Sequence, residues 1–198
     1  MGQEEKDKKE HRKSVHMEDW PSAGKVDEKV LKEMEEVRKI VSLGLEARAK
    51  ANIKVRQPLQ TLKVRNFKLE IHSGLRALIQ DEVNVKEVAT DAAIQSDVEL
   101  DTTITAALKE EGQFRELSRT VQEMRKSLRL LPSDAAVLEV RAGGSSVRFI
   151  EQYGQELSAT ANLRTVSQVT DFTEKGTPSL TESFKADELV LELRLSKE

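Results

Sequence analysis

An α+β fold is predicted for this chain, with a helical segment followed by helices packed on small β-sheets. Three observations lead there. Apolar residues recur at helical spacing over two long stretches, roughly 27–51 and 102–130. Short alternating or apolar runs follow each stretch, as strands require. The order helix, strand, helix, strand then occurs twice along the chain.

Residues 1–13 are almost wholly charged, with both signs mixed, and are expected to be a disordered or solvated tail. A Trp20-Pro21 pair next favours an extended tryptophan and a chain turn. From Asp27, a candidate N-cap, the positions Val30, Met34, Val37, Val41 and Leu45 predict one amphipathic helix reaching about Ala51. Its apolar stripe has no partner upstream in the chain. Alternation at Ile53 and Val55 predicts a short strand, Gln57-Pro58 a turn, and Leu62 with Val64 a second extended piece. Leu69, Ile71, Leu75, Leu78 and Ile79 return to helical spacing, and residues 83–88 and 98–102 are expected to be strands. A second long helix covers 102–130, with Leu108, Phe114, Leu117, Val121, Met124 and Leu128 on one face and Gly112 as a place where it could split. Residues 135–142 form a strand, Gly143-Gly144 a turn, 147–161 a helix, and 164–172 and 187–195 two more strands.

Residues 50–64 lie on residues 126–140 without a gap, placing Lys50 on Lys126, Leu62 on Leu138 and Val64 on Val140. A duplicated α-β-α-β unit and a chance likeness of two helix-to-strand junctions both fit that match.

With 198 residues, 34% of them charged and 4% aromatic, the core must be mostly Leu, Ile, Val and Ala. The absence of cysteine excludes disulfides, thiolate metal sites and a cysteine nucleophile. No apolar run approaches the roughly 18 residues that span a bilayer, and the N-terminal segment is not a signal peptide. A soluble, cytoplasmic chain is therefore expected. His11, His16 and His72 are too scattered for metal-ligand spacing. No phosphate-cradling glycine pattern and no nucleophile elbow is present. No catalytic residue, no bound metal and no cofactor is expected in this chain.

The charge map is more informative. The stretch ARAKANIKVRQPLQTLKV, and the few residues beyond it, hold Arg48, Lys50, Lys54, Arg56, Lys63, Arg65 and Lys68 with no acid. Residues 81–101 hold Asp81, Glu82, Glu87, Asp91, Asp97, Glu99 and Asp101 against Lys86 alone. A net charge of −3 gives no global attraction to nucleic acid or membrane, but a local basic patch attracts phosphate by releasing counterions. The seam could instead complement the helix C-terminus or pair with the acidic stretch. It lacks interleaved aromatics, so phosphate contact is indicated and base stacking is not.

Two motifs carry a family resemblance. Ser14-Val15-His16-Met17-Glu18-Asp19-Trp20-Pro21, and Arg48-Ala49-Lys50-Ala51-Asn52-Ile53-Lys54-Val55-Arg56-Gln57-Pro58-Leu59, together resemble the C-terminal part of isoleucyl-tRNA synthetase, a class I aminoacyl-tRNA synthetase. Residues 99–130 look like a further signature of its larger form. The resemblance implies the end of a helical anticodon-binding domain over residues 14–62, then an α/β C-terminal domain over 63–198 that helps hold the tRNA. It gives the first long helix a partner, the bundle encoded upstream. It also implies a parent enzyme that joins isoleucine to its tRNA using ATP and magnesium. The adenylate-binding motifs and the editing domain of that family are absent from this sequence. Trp20 either packs against the long helix, the preferred reading, or stacks on an anticodon-loop base; His16 is read as a packing residue.

The expected function is thus that of a C-terminal tRNA-binding fragment of an isoleucine–tRNA ligase, with Arg48, Lys50, Lys54, Arg56, Lys63 and Arg65 touching phosphates. Its partners would be the isoleucine tRNA and the upstream catalytic and bundle domains, with neither membrane nor DNA. The alternative is a non-catalytic protein-interaction module whose basic seam docks an acidic partner or another synthetase domain. A free-standing enzyme is disfavoured by the missing motifs.

Overall fold

The computed structural model describes residues 24–65, 73–144, 146–172 and 176–197. The expected tail, the Ser14–Pro21 motif with His16 and Trp20, His72 and Lys68 lie outside the described residues.

Asp27 starts the first helix as its composition suggests. Its Oδ1 accepts from the Lys29 and Val30 N–H groups at 3.0 and 3.2 Å, satisfying two donors left free at a helix N-terminus. Helix α1 spans Glu28–Lys50. It buries Val37, Ile40, Gly44 and Arg48, while Val30 near its start is exposed. The chain then passes through Asn52 at φ 55°. Residues 53–58 form turns, so the strand expected at Ile53 and Val55 is absent and Val55 is exposed. A left-handed residue directly after the helix sets the turn there, and an alternating apolar pair does not override it.

Strand β1, Leu59–Val64, is central in a three-stranded sheet of order β2-β1-β3. It pairs in parallel with β2 (Val85–Thr90) through the crossover helix α2 (Ser73–Val83), and antiparallel with β3 (Val98–Leu100). The expected domain boundary after residue 62 falls inside β1, and α1 packs on α2 and β3 of this same unit. Leu59, Leu62, Ile79, Val83 and Val88, all but completely buried, form its core with Val37 and Ile40.

Thr105 caps α3, which runs from Ala106 to Ser127. Gly112 does not split it. A Cβ there would stand 2.4 Å from Gln57 Oε1, so the glycine is where the first unit's loop meets the helix. Beyond it, β4 (Ala136–Ala142), α4 (Ser146–Thr160) and β5 (Leu163–Gln168) make a second parallel crossover pair. Strand β7 (Leu189–Lys197) lies antiparallel on the other side of β4, and β6 (Ser179–Ala186) completes the order β5-β4-β7-β6. Strand β6 was not expected from the sequence. It is an edge strand with only Phe184 buried, so its pattern shows neither a continuous apolar run nor clean alternation. A separate core of Leu117, Val121, Met124, Leu138, Leu157, Leu191, Leu193 and Leu195 fills this unit.

The two units have one plan. β1 and β4 each pair in parallel with the strand after their crossover helix, and antiparallel with a later strand. Leu62 pairs with Val88 and Leu100, as Leu138 pairs with Val166 and Leu195. The sequence match of Leu62 with Leu138 and Val64 with Val140 therefore holds in three dimensions. Lys50 and Lys126 do not correspond: a register irregularity between Ala136 and Val137 shifts the preceding helix and loop by one residue. With that shift Val37, Ile40, Gly44 and Arg48 of α1 take the places of Phe114, Leu117, Val121 and Arg125 in α3, all buried. The fold class is α+β, with four helices and two mixed sheets among the described residues, and no described helix is long and apolar enough to cross a membrane.

Candidate nucleic-acid interface

The basic seam occupies the end of α1, the loop after it and β1. Arg48 is only 1% exposed. Its Nε donates to Val83 O at 2.6 Å, Nη1 to Lys54 O at 3.1 Å and Gln57 O at 2.8 Å, and Nη2 to Asn84 O at 2.6 Å. A guanidinium with four of its five N–H donors on carbonyls, and almost no solvent access, is not available to a phosphate. Arg48 thus departs from its expected role: it ties the helix end to the β1 entry loop and to the α2–β2 junction. Burial pushes its pKa down from the ordinary arginine value, and the four carbonyls offset that desolvation.

The other seam residues are on the surface. Lys63 pairs with Asp91 at 3.1 Å and Arg65 with Asp97 at 2.9 Å, so the basic and acidic stretches meet across the first sheet. That contact with Asp91 holds the Lys63 pKa above the ordinary lysine value. Asp91 is itself held low, first by the Ala93 N–H and then by Lys63. Lys50 pairs with Glu46 at 2.7 Å within α1, and Lys54 reaches Glu116 of α3 at 2.9 Å. Both lysine side chains stay more than two-thirds exposed. Arg56 is exposed and has no partner among the described residues. The end of α1 and the loop after it therefore present Lys50, Lys54 and Arg56 outward, whereas Lys63 and Arg65 are engaged on the sheet.

The same loop, together with the α2–β2 junction and β2, joins the two units. Gln57 Nε2 donates to Leu108 O at 2.7 Å, Arg115 Nη1 donates to Asn84 Oδ1 at 2.7 Å, and Lys86 meets Glu111 at 2.7 Å. Sequence reasoning missed Arg125, the counterpart of Arg48. It is 4% exposed and donates to Asn162 O at 3.1 Å and to Leu131 O and Asp134 O, each at 2.9 Å. Asn84 and Asn162 also correspond. Both have positive φ, 55° and 48°, and their side-chain amides donate to Val55 O and Pro132 O at equivalent places in the two loops. The legible signal is an arginine four residues before a left-handed position in each copy, visible once the ungapped match is slid by one residue.

No family model matches the chain. Among curated proteins it is similar to isoleucine–tRNA ligases. That of Thermococcus kodakarensis is 40% identical over 80 residues, 38% of this chain and 8% of the relative. That of Streptomyces coelicolor is 31% identical over 138 residues, 68% of this chain and 13% of the relative. That of Dehalococcoides mccartyi is 35% identical over 133 residues, 58% of this chain and 13% of the relative. The chain thus spans about a tenth of the length of these relatives. These similarities, at 31–40% identity over 38–68% of this chain, are consistent with a C-terminal fragment of an isoleucine–tRNA ligase.

Proposed function

We propose that this chain binds and positions tRNA for an isoleucine–tRNA ligase without itself carrying the chemistry. The observation that supports this most is its similarity to isoleucine–tRNA ligases over as much as 68% of its length. The loop after α1 supplies the means. Lys50 and Lys54 are held only by surface ion pairs, which contribute ~1 kcal/mol or less and exchange readily for a phosphate. Arg56 needs no exchange. Activation of isoleucine with ATP and magnesium would belong to other domains of the parent enzyme, whose cognate tRNA is the RNA partner.

Binding is then weak and steeply salt-dependent, because neutralised phosphates release counterions. Titrating labelled tRNA into the purified chain tests this. Lys54→Glu with Arg56→Glu weakens binding roughly tenfold, while the circular dichroism spectrum is retained. Affinity indifferent to both the double reversal and added salt would overturn the reading.

A second reading rests on the start of α1 and the residue before its cap, where Val30, Leu31 and Val26 are exposed. The end of an anticodon-binding bundle would leave such a stripe for an upstream helix. Titration with the separately expressed upstream domains, compared with tRNA, distinguishes docking from RNA contact.

A further inference from the structure

The loop of the second unit that corresponds to the seam opens onto a cleft of about 390 Å³ between the last turn of α3 and the end of α4. Lys126, Arg129 and Asn162 line it, with Gln122 on one wall and the buried Arg125 beneath. None of its lining residues is acidic. Two other surface clefts each carry carboxylates, Glu188 and Glu192 in one and Asp81 in the other. Lys126 and Arg129 are exposed, and neither side chain is paired with a carboxylate among the described residues.

Superposing the two units sharpens the observation. Lys126 stands where the first unit has Ala49, and Arg129 where it has Asn52. Asn52 and Arg129 share φ 55°. Asparagine tolerates the left-handed region better than other residues with a side chain, whereas arginine gains nothing from it. The other described non-glycine residues at positive φ are Asn52, Asn84, Asn162 and Asp187. A cation at the α3 C-terminus is favourable in itself, which accounts for Lys126. The left-handed angle is an ordinary helix stop, as at Asn52; what the fold does not account for is an arginine there, a cation placed at the cleft mouth at a cost in backbone strain.

We propose that this cleft binds a phosphodiester of the RNA backbone, with Lys126 and Arg129 as its direct contacts and Arg125 as a fixed charge beneath them. The lining holds no aromatic residue for base stacking, so the contact carries charge and not base identity. It deepens the tRNA-binding reading, on which it rests, by adding a second contact distinct from Lys54 and Arg56.

The test is a tRNA titration at several salt concentrations, combined with thermal unfolding, on the full chain. Arg129→Asn raises the melting temperature by ~1–2 °C, yet weakens tRNA binding roughly fivefold and lowers the slope of log affinity against log salt by about one. Lys126→Glu with Arg129→Glu weakens binding further. If Arg129→Asn leaves affinity and slope unchanged while Lys54→Glu/Arg56→Glu weakens binding, the cleft proposal fails and the tRNA reading stands. If the unaltered chain does not bind tRNA, both fail. A fall in melting temperature with Arg129→Asn would show that the arginine serves the fold, and would also overturn the proposal.

Discussion

The two α-β-α-β units carry the same fastening at the helix end and differ in what surrounds it. In the first unit Arg48 is buried beneath a loop whose Lys54 and Gln57 reach across to α3. In the second, Arg125 makes the same turn of contacts, but the helix end and loop beside it carry Lys126 and Arg129, neither paired with a carboxylate among the described residues. Even a reversed charge is tolerated at the sheet centre: Lys63 lies opposite Glu99 in one, Glu139 opposite Arg194 in the other. The difference separates what the fold requires from what it leaves free. The arginine-to-carbonyl clamp, the left-handed pair and the central strand recur, while surface charge follows each unit's own surroundings.

Breaking the clamp has the largest expected effect. Arg48→Met removes four hydrogen bonds made by a side chain only 1% exposed, and costs about 3–5 kcal/mol in urea unfolding. Arg125→Met removes three hydrogen bonds and costs somewhat less. Values below about 1 kcal/mol for both would show that the buried arginines do not hold the units together.

Exchange of bulk between the units sharpens the correspondence. A Cβ on Gly44 would approach the Val83 methyls at 2.9 and 3.0 Å. The equivalent residues in the second unit are Val121 and Ala161, both buried, so the volume has moved from one side to the other. Gly44→Val is expected to cost about 2–3 kcal/mol, and Val83→Ala about 2 kcal/mol. Together they recreate the second unit's pair, and a double-mutant cycle should return a favourable coupling of at least about 1 kcal/mol. Simple additivity would refute the correspondence.

Smaller effects come from the left-handed asparagines. Asn162→Ala loses the bond to Pro132 O and adds backbone strain, about 1–2 kcal/mol in all. Asn84→Ala also loses Arg115, adding up to about 1 kcal/mol more. Equal losses would mean that the bond between units contributes nothing.

The smallest effect is the pH response. Asp91 and Asp101 of the first unit are held below the usual carboxylate value, chiefly by the N–H groups of Ala93 and Thr103. Asp134 and Glu188 of the second are lowered chiefly by the Leu131 N–H and by Lys109. A carboxylate with a depressed native pKa stabilises the fold above its unfolded value and loses that contribution as pH falls through the native one. Unfolding monitored against pH should therefore weaken only below about pH 4, and Asp101→Asn should flatten the acid limb. Weakening that begins near neutrality would contradict this assignment.

Much of the fold was legible in the sequence because long helices announce themselves. Asp27, the stripe through Val37, and the Phe114–Met124 face placed α1 and α3 to within a few residues. The edge strand β6 was hidden because its solvated positions leave almost no apolar signal. The site was less legible. Arg48 looks like any seam cation in sequence, since only packing shows that loop carbonyls enclose it. Lys63 and Arg65 meet their acids through the pairing of β1 with its neighbours, which residue order does not display. Arg129 shows its interest only through its backbone angle.

Strand β7 lies inside its sheet, between β4 and β6, although it is the last element of the chain. During synthesis the first unit has all of its strands once Leu100 has emerged, whereas the second cannot close until the residues through Lys197 follow. At ordinary elongation rates that is an interval of roughly 5–20 s. From the time they emerge, Leu117, Val121 and Met124 lack the sheet that later covers them. Nascent chains of this protein should accordingly be most prone to chaperone capture after the first unit has formed.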